Sequence, residues 1–321
     1  MTKLTLTGGV WSATPTPLDD QGRVDVPSVH RLVEHHIRMG CTGVMLAGTC
    51  GEGPWLTAAN REALVKAAVA ASASRLRIAL QVTDNSAART LHNVEQAAQW
   101  GAELAVVAQP FFFINATPAR LLGYCQEIAR HAALPMGYYD RGKASAYMLP
   151  EPELAEVAAE PNYVMIKDSS QIPTRRDLFV AARRDKPGLI LLDGDEFDCV
   201  SSLRAGFDGV LLGGSIFNAG LAHRIIRAVR AGDLAEAQRV QERMNDLMRR
   251  VYGGPKIECW MSGLKELLVQ MGLFSTRHNL LGFPLTDHCR RQIADALSGA
   301  DGLGYRADLL DPALRAWPRP Q

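Results

Sequence analysis

Three segments of this 321-residue chain carry side chains whose types and order could act on a carbonyl carbon. The first holds Lys167, which ends the apolar run Tyr163-Val164-Met165-Ile166 and precedes Asp168-Ser169-Ser170. Such a run suits a strand buried on both faces, which puts the lysine at the strand's carboxyl end. An amine held among apolar side chains loses hydration of its charged form, and the neutral form can attack a ketone to give a Schiff base. The cationic nitrogen of that adduct withdraws electrons from the adjacent carbon. The plainer role is a lysine that snorkels out of a strand end to pair with Asp168.

The second segment is Met136-Gly137-Tyr138-Tyr139, one strand–helix unit upstream. Neighbouring strand ends lie about 5 Å apart, within reach of a tyrosine ring. The Tyr139 phenol could therefore pass protons to and from a carbinolamine on Lys167. Otherwise it is an aromatic plug in the mouth of a barrel. Tyr138, adjacent along the strand, is expected to point the other way. The third segment is Gly48-Thr49-Cys50-Gly51-Glu52-Gly53. Its small residues could open backbone N–H groups to a carboxylate, with the Thr49 hydroxyl donating to the same anion or relaying a proton to Tyr139. An ordinary glycine turn has the same composition.

These segments need a scaffold, and hydrophobic patterning supplies one. Strands are expected over Val10–Thr14, Gly43–Ala47, Arg77–Val82, Leu104–Ala108, Met136–Tyr139, Tyr163–Lys167, Leu189–Asp193 and Gly209–Leu212. Between them, apolar residues recur three and four apart and stop at glycines, as with Val29, Leu32, Val33 and Ile37 before Gly40, or Phe197, Val200 and Leu203 before Gly206. Eight strand–helix pairs with short connections imply parallel strands and right-handed crossovers, and eight is the number that closes a (β/α)8 TIM barrel. An open doubly wound sheet would place a glycine fingerprint after the first strand, where the chain reads Trp11-Ser12-Ala13-Thr14-Pro15. Helical periodicity over Leu234–Val251, Ile257–Met271 and Asp287–Leu297 predicts a C-terminal helical extension. The expected organisation is a barrel over 1–231, the extension packed on it over 232–300, and a surface tail over 301–321.

Composition narrows the partners. With 35 Lys and Arg against 34 Asp and Glu, the net charge is +1, and no basic block offers a surface for nucleic acid or an anionic membrane. No apolar run approaches the roughly 18 residues of a membrane span, and the first ten residues lack a signal-peptide profile, so a cytoplasmic location is expected. The six cysteines show no C-x-x-C spacing and read as buried small hydrophobes, while the eight histidines form no H-E-x-x-H face. No metal site is expected, and no organic cofactor either, since the lysine itself would serve as electron sink.

Together, Gly48-Thr49-Cys50-Gly51-Glu52, the strand-end Tyr139 and the Lys167 strand resemble the class I pyruvate-dependent lyases typified by dihydrodipicolinate synthase and N-acetylneuraminate lyase. The likeness runs from about Gly9 to Leu297 and includes Leu192-Asp193-Gly194-Asp195-Glu196. It implies that Lys167 binds pyruvate as a Schiff base, that Tyr139 is the acid/base, and that Gly48, Thr49, Cys50 and Gly51 hold the pyruvate carboxylate. Gly194 would border the substrate, and the assembly would be a homo-oligomer, a tetramer or a dimer.

Three departures from that pattern bear on the second substrate. Cys50 stands where a second hydroxyl residue is usual. Phe112, in Gln109-Pro110-Phe111-Phe112-Phe113, replaces a relay tyrosine and cannot pass a proton. Ala144 stands where the synthases carry a clamp arginine, a loss of about 1.5–3 kcal/mol on the scale of charge-assisted bonds. Arg141 and Lys143 are the candidate substitutes. Apart from these departures, Glu196 would either sit at the N-terminus of the seventh helix or touch a substrate hydroxyl, and Ser215 and Asn218 would border the site. The expected activity is a Schiff-base lyase of the aldolase or hydratase-aldolase type, joining or cleaving pyruvate and an aldehyde, with Phe112 favouring a less polar acceptor. Condensation of pyruvate with aspartate semialdehyde is the alternative. A non-catalytic binder of 2-oxo acids is a third reading.

Overall fold

The computed structural model describes residues 6–298. Eight parallel strands close into a barrel in sequence order: β1 (Gly9–Ala13), β2 (Gly43–Leu46), β3 (Arg77–Gln81), β4 (Leu104–Ala108), β5 (Met136–Asp140), β6 (Tyr163–Asp168), β7 (Ile190–Asp193) and β8 (Gly209–Leu212). The expected fold is the observed one. Each strand is buried along almost its whole length, as in a sheet covered by helices outside and filled by side chains within. Closure depends on a close approach of β8 to β1: a Cβ on Gly209 would fall 2.0 Å from the Gly9 carbonyl oxygen, so only glycine fits there.

Eight helices form the outer layer: α1 (Val26–Arg38), α2 (Ala58–Ser72), α3 (Ala87–Gln99), α4 (Pro118–His131), α5 (Glu151–Ala159), α6 (Pro173–Asp185), α7 (Cys199–Ala205) and α8 (Ser215–Arg230). Their starts are written locally. Asp25, Thr57, Ser86, Thr117 and Asp198 each accept a backbone N–H in the first turn, and proline occupies the first turn of α1, α4, α5 and α6. The seventh helix begins later than its apolar pattern suggests. Asp198 caps it, so Phe197 and Glu196 lie in the preceding loop, and a helix-start role for Glu196 is excluded. Apolar spacing alone places the eighth helix near Leu221–Arg230; it begins six residues earlier, at Ser215, because its first turns are buried nearly all round and show no polar face.

Three further helices, α9 (Leu234–Tyr252), α10 (Trp260–Gln270) and α11 (Asp287–Ser298), make up the extension. One stripe of α9, through Val240, Met244, Leu247 and Val251, is buried. Each such side chain is worth about 1.5–3 kcal/mol of burial, which ties the extension to the barrel as one core. The tail expected over 301–321 lies outside the described residues. Six free cysteines are all buried, as expected of small hydrophobes. Among the described residues no helix is long and apolar enough to cross a membrane.

Candidate active site at the carboxyl rim of the barrel

Strand register brings the two key side chains together. Tyr139 and Lys167 are direct partners across β5 and β6, so alternation sends both into the barrel at one level. The Lys167 Nζ lies 4.3 Å from the centroid of the Tyr139 ring, in cation–π contact. Both are buried, Lys167 to 4% and Tyr139 to 9% exposure. Tyr138 turns outward instead, where its hydroxyl accepts a 2.9 Å hydrogen bond from Gln109 Nε2. The alternative partner, Asp168, also points away, accepting the Ser170 N–H at 2.8 Å. Lys167 is thus committed to the barrel interior.

The surroundings of the phenol favour its anion. Burial alone pushes Tyr139 up, but the Lys167 ammonium, the Arg141 guanidinium and the Thr49 and Ser169 hydroxyls outweigh it and hold the phenol below the ordinary tyrosine value. The arrangement sets an amine and a phenol side by side, the pairing that acid/base chemistry on a carbonyl adduct requires. Of the two candidate cations after β5, Arg141 therefore faces the site, whereas Lys143 is exposed. Arg141 sits in a loop that is tightly fixed. Asp140 accepts the Gly142 N–H at 3.0 Å and pairs with the buried Arg175 at 2.6 Å, and Arg175 also donates to the Leu149 carbonyl at 2.7 Å.

The glycine loop after β2 is folded on itself. Gly53 N–H donates to Gly48 O and Glu52 N–H to Thr49 O, both at 3.1 Å, while the Thr16 hydroxyl donates to Gly51 O at 2.6 Å. The Cys50 thiol is buried and held well above the ordinary thiol value, by burial first and then by Glu196. It is a neutral thiol, not a nucleophile. Gly194 is in intimate contact with the chemistry: a Cβ there would fall 1.9 Å from Ser169 Oγ and 2.9 Å from Lys167 Cε.

One neighbour of the site, Ser169, escapes a reading of the sequence for motifs. Ser169 lies two residues beyond Lys167 and so shares its side of the strand, a parity that could have flagged it. Glu196 leaves the β7 loop to accept the backbone N–H groups of Gly213 at 3.1 Å and Gly214 at 2.7 Å, with the Tyr252 hydroxyl of α9 donating at 3.1 Å. Burial raises this carboxyl above its usual range against those donors and the nearby Lys167 charge. Neither the helix-start nor the substrate-hydroxyl reading of Glu196 foresees these partners, the paired glycines after β8. Phe112 is 61% exposed and is not part of the packed barrel wall, whereas Phe113 packs against Tyr124 and Tyr147. Ser215 and Asn218 are buried in the first turn of α8, close behind the Glu196 contact.

A closed eight-stranded barrel with a lysine and a tyrosine face to face at its carboxyl rim defines a TIM-barrel enzyme. Residues 6–300 match the Dihydrodipicolinate synthetase family. Among its relatives, the 4-hydroxy-tetrahydrodipicolinate synthase of Xanthomonas campestris pv. campestris is 32% identical over 204 residues, 63% of this chain and 66% of that protein, just under two thirds of its length. The enzyme of the same name from Maridesulfovibrio salexigens is 26% identical over 92% of this chain and 98% of its own. The solved dihydrodipicolinate synthase of Bacteroides thetaiotaomicron superposes with a TM-score of 0.82 at 24% identity, covering 92% of this chain and 99% of that one. The chain belongs to the dihydrodipicolinate synthetase family.

Proposed function

We propose that this enzyme is a Schiff-base lyase that makes or breaks a carbon–carbon bond between pyruvate and an aldehyde. The observation that carries the reading is the Lys167–Tyr139 contact, 4.3 Å from amine to ring centre, between two buried side chains in strand register. Tyr139 takes a proton from Lys167, and the free amine attacks the pyruvate ketone. The phenol returns the proton to the carbinolamine oxygen, water leaves, and a cationic imine forms. Loss of a C3 proton then gives an enamine that adds to the aldehyde carbonyl, the alkoxide takes up a proton, and hydrolysis frees Lys167; cleavage is the reverse. The imine is the electron sink, so the chemistry needs no added cofactor.

The Gly48-Thr49-Cys50-Gly51 loop offers backbone N–H groups and a hydroxyl to the pyruvate carboxylate, and Gly194 leaves room beside the reacting carbon. Arg141 replaces the clamp missing at Ala144, since its charge reaches Tyr139 whereas Lys143 is exposed. Exposed Trp55, Phe112 and Ile114 suit a homo-oligomer, a tetramer or a dimer, and six unbridged cysteines suit a reducing, cytoplasmic compartment.

The names of the relatives favour aspartate semialdehyde as second substrate, whereas Ala144 and Phe112 favour an aldehyde without that carboxylate. A merely binding role sits poorly with a phenol tuned towards its anion beside the amine. Proton exchange tests the reading without knowledge of the aldehyde. In D2O the enzyme is expected to wash out the methyl proton signal of pyruvate, because only the enamine makes C3 exchangeable. A methyl signal that persists with wild-type enzyme as it does without enzyme contradicts the proposal.

A further inference from the structure

Behind the carboxylate loop lies an ion pair that the chemistry above does not use. Glu52, last of the loop residues, pairs with Lys265 of α10, and both side chains are 0% exposed. Each is tied further into the extension. Lys265 Nζ donates to the His278 carbonyl at 2.6 Å, and the second Glu52 oxygen accepts the Leu280 N–H at 2.5 Å. The loop needs such an anchor. Glu52 holds a left-handed backbone at φ 58°, as does Ala47 at φ 52°, a conformation that non-glycine residues keep only when their surroundings enforce it. A Cβ on Gly53 would fall 1.7 Å from the Ala47 carbonyl oxygen, so the turn is closed to within van der Waals limits. Both charges of the pair act on Cys50, which places them against the loop itself.

We infer that Lys265 is a positioning residue for the substrate carboxylate: through Glu52 it holds the Gly48–Gly51 backbone in the shape that presents its N–H groups. The helical extension is then part of substrate recognition although none of its residues need touch substrate. The inference rests on the assignment of that loop to the pyruvate carboxylate. Its geometry separates two consequences. Losing the anchor disturbs the loop, but the strand pair that carries Lys167 and Tyr139 has its own register and is left in place.

The test is borohydride trapping of pyruvate and of hydroxyacetone, a ketone without a carboxylate, by Lys265→Met. The half-saturating pyruvate concentration is expected to rise about ten-fold or more with the limiting trapping rate within about three-fold of wild type, and hydroxyacetone trapping is expected to hold within about two-fold. Glu52→Gln/Lys265→Met, which leaves no lone buried charge, is expected to behave alike and is read in place of the single variant if that one does not fold. Unchanged half-saturation for pyruvate, or equal losses for the two ketones, overturns the inference and leaves a pair that only stabilises the fold. Wild-type enzyme that traps hydroxyacetone but not pyruvate overturns the carboxylate assignment and the inference with it.

Discussion

At the scale of residues, the candidate site sets a buried amine against the ring of a buried phenol. Burial raises Tyr139, but Lys167, Arg141, Thr49 and Ser169 outweigh it and hold the phenol below its ordinary value. In the proposed mechanism the phenolate accepts a proton from the amine, so adduct formation is expected to rise with pH as the phenol ionises. That limb is expected below about pH 10, the value of a free tyrosine. Ser169→Ala removes one group that favours the phenolate, which raises the phenol and moves the rising limb to higher pH. A pH–rate profile of adduct formation checks this, and an unmoved limb would count against the assigned role of Ser169. Tyr139→Phe should slow turnover by about 10²–10⁴-fold, the range for loss of an acid/base group. Lys167 and Tyr139 were legible in the sequence because each ends an apolar run, and a strand end in a barrel is a fixed address. Glu196 was not, because its meaning comes from Gly213 and Gly214 on another strand's loop.

At the scale of elements, the same register that turns Tyr139 and Lys167 inward turns three aspartates outward. Asp140, Asp168 and Asp193 are successive partners at the ends of β5, β6 and β7. Asp140 is neutralised by Arg175. Asp168 is pushed up to about 6, chiefly by burial, against the Ser170 hydrogen bonds, and Asp193 is raised well above the usual range by burial and Asp195. The sign follows from linkage. A carboxyl that holds its proton more tightly in the folded state, about 6 against about 3.9 unfolded, adds stability below pH 4 that is lost as pH climbs through about 6. Asp168→Asn keeps an acceptor for the Ser170 N–H and removes the titration. Its thermal midpoint should exceed that of wild type at pH 8 and converge with it near pH 4, as scanning calorimetry across that interval can show. A parallel pH dependence in the two proteins would refute the argument. Strand positions were readable to within a residue or so at each end, since buried runs announce themselves. The starts of α7 and α8 were not, because Asp198 competes with the apolar pattern and the first turns of α8 have no polar face to set a period.

At the scale of the molecule, the barrel and its extension share one core and are joined by the buried Glu52–Lys265 pair. The number of strand–helix units and the absence of a glycine fingerprint after β1 made the closed barrel readable from sequence. The path by which α10 reaches back to the loop after β2 was hidden, since Glu52 and Lys265 are more than two hundred residues apart and each looks like an ordinary charge. Likewise the exposure of Phe112 could not be read from its type. The claim on which the account turns is that one lysine, buried at the rim against a phenol, takes a ketone into covalent linkage. Trapping with pyruvate and borohydride, followed by mass spectrometry of the intact chain and its peptides, measures this directly. The expected result is one reduced pyruvyl group per chain, located on Lys167 and absent from Lys167→Ala. An unmodified chain at saturating pyruvate, or a label that persists in Lys167→Ala, would contradict it.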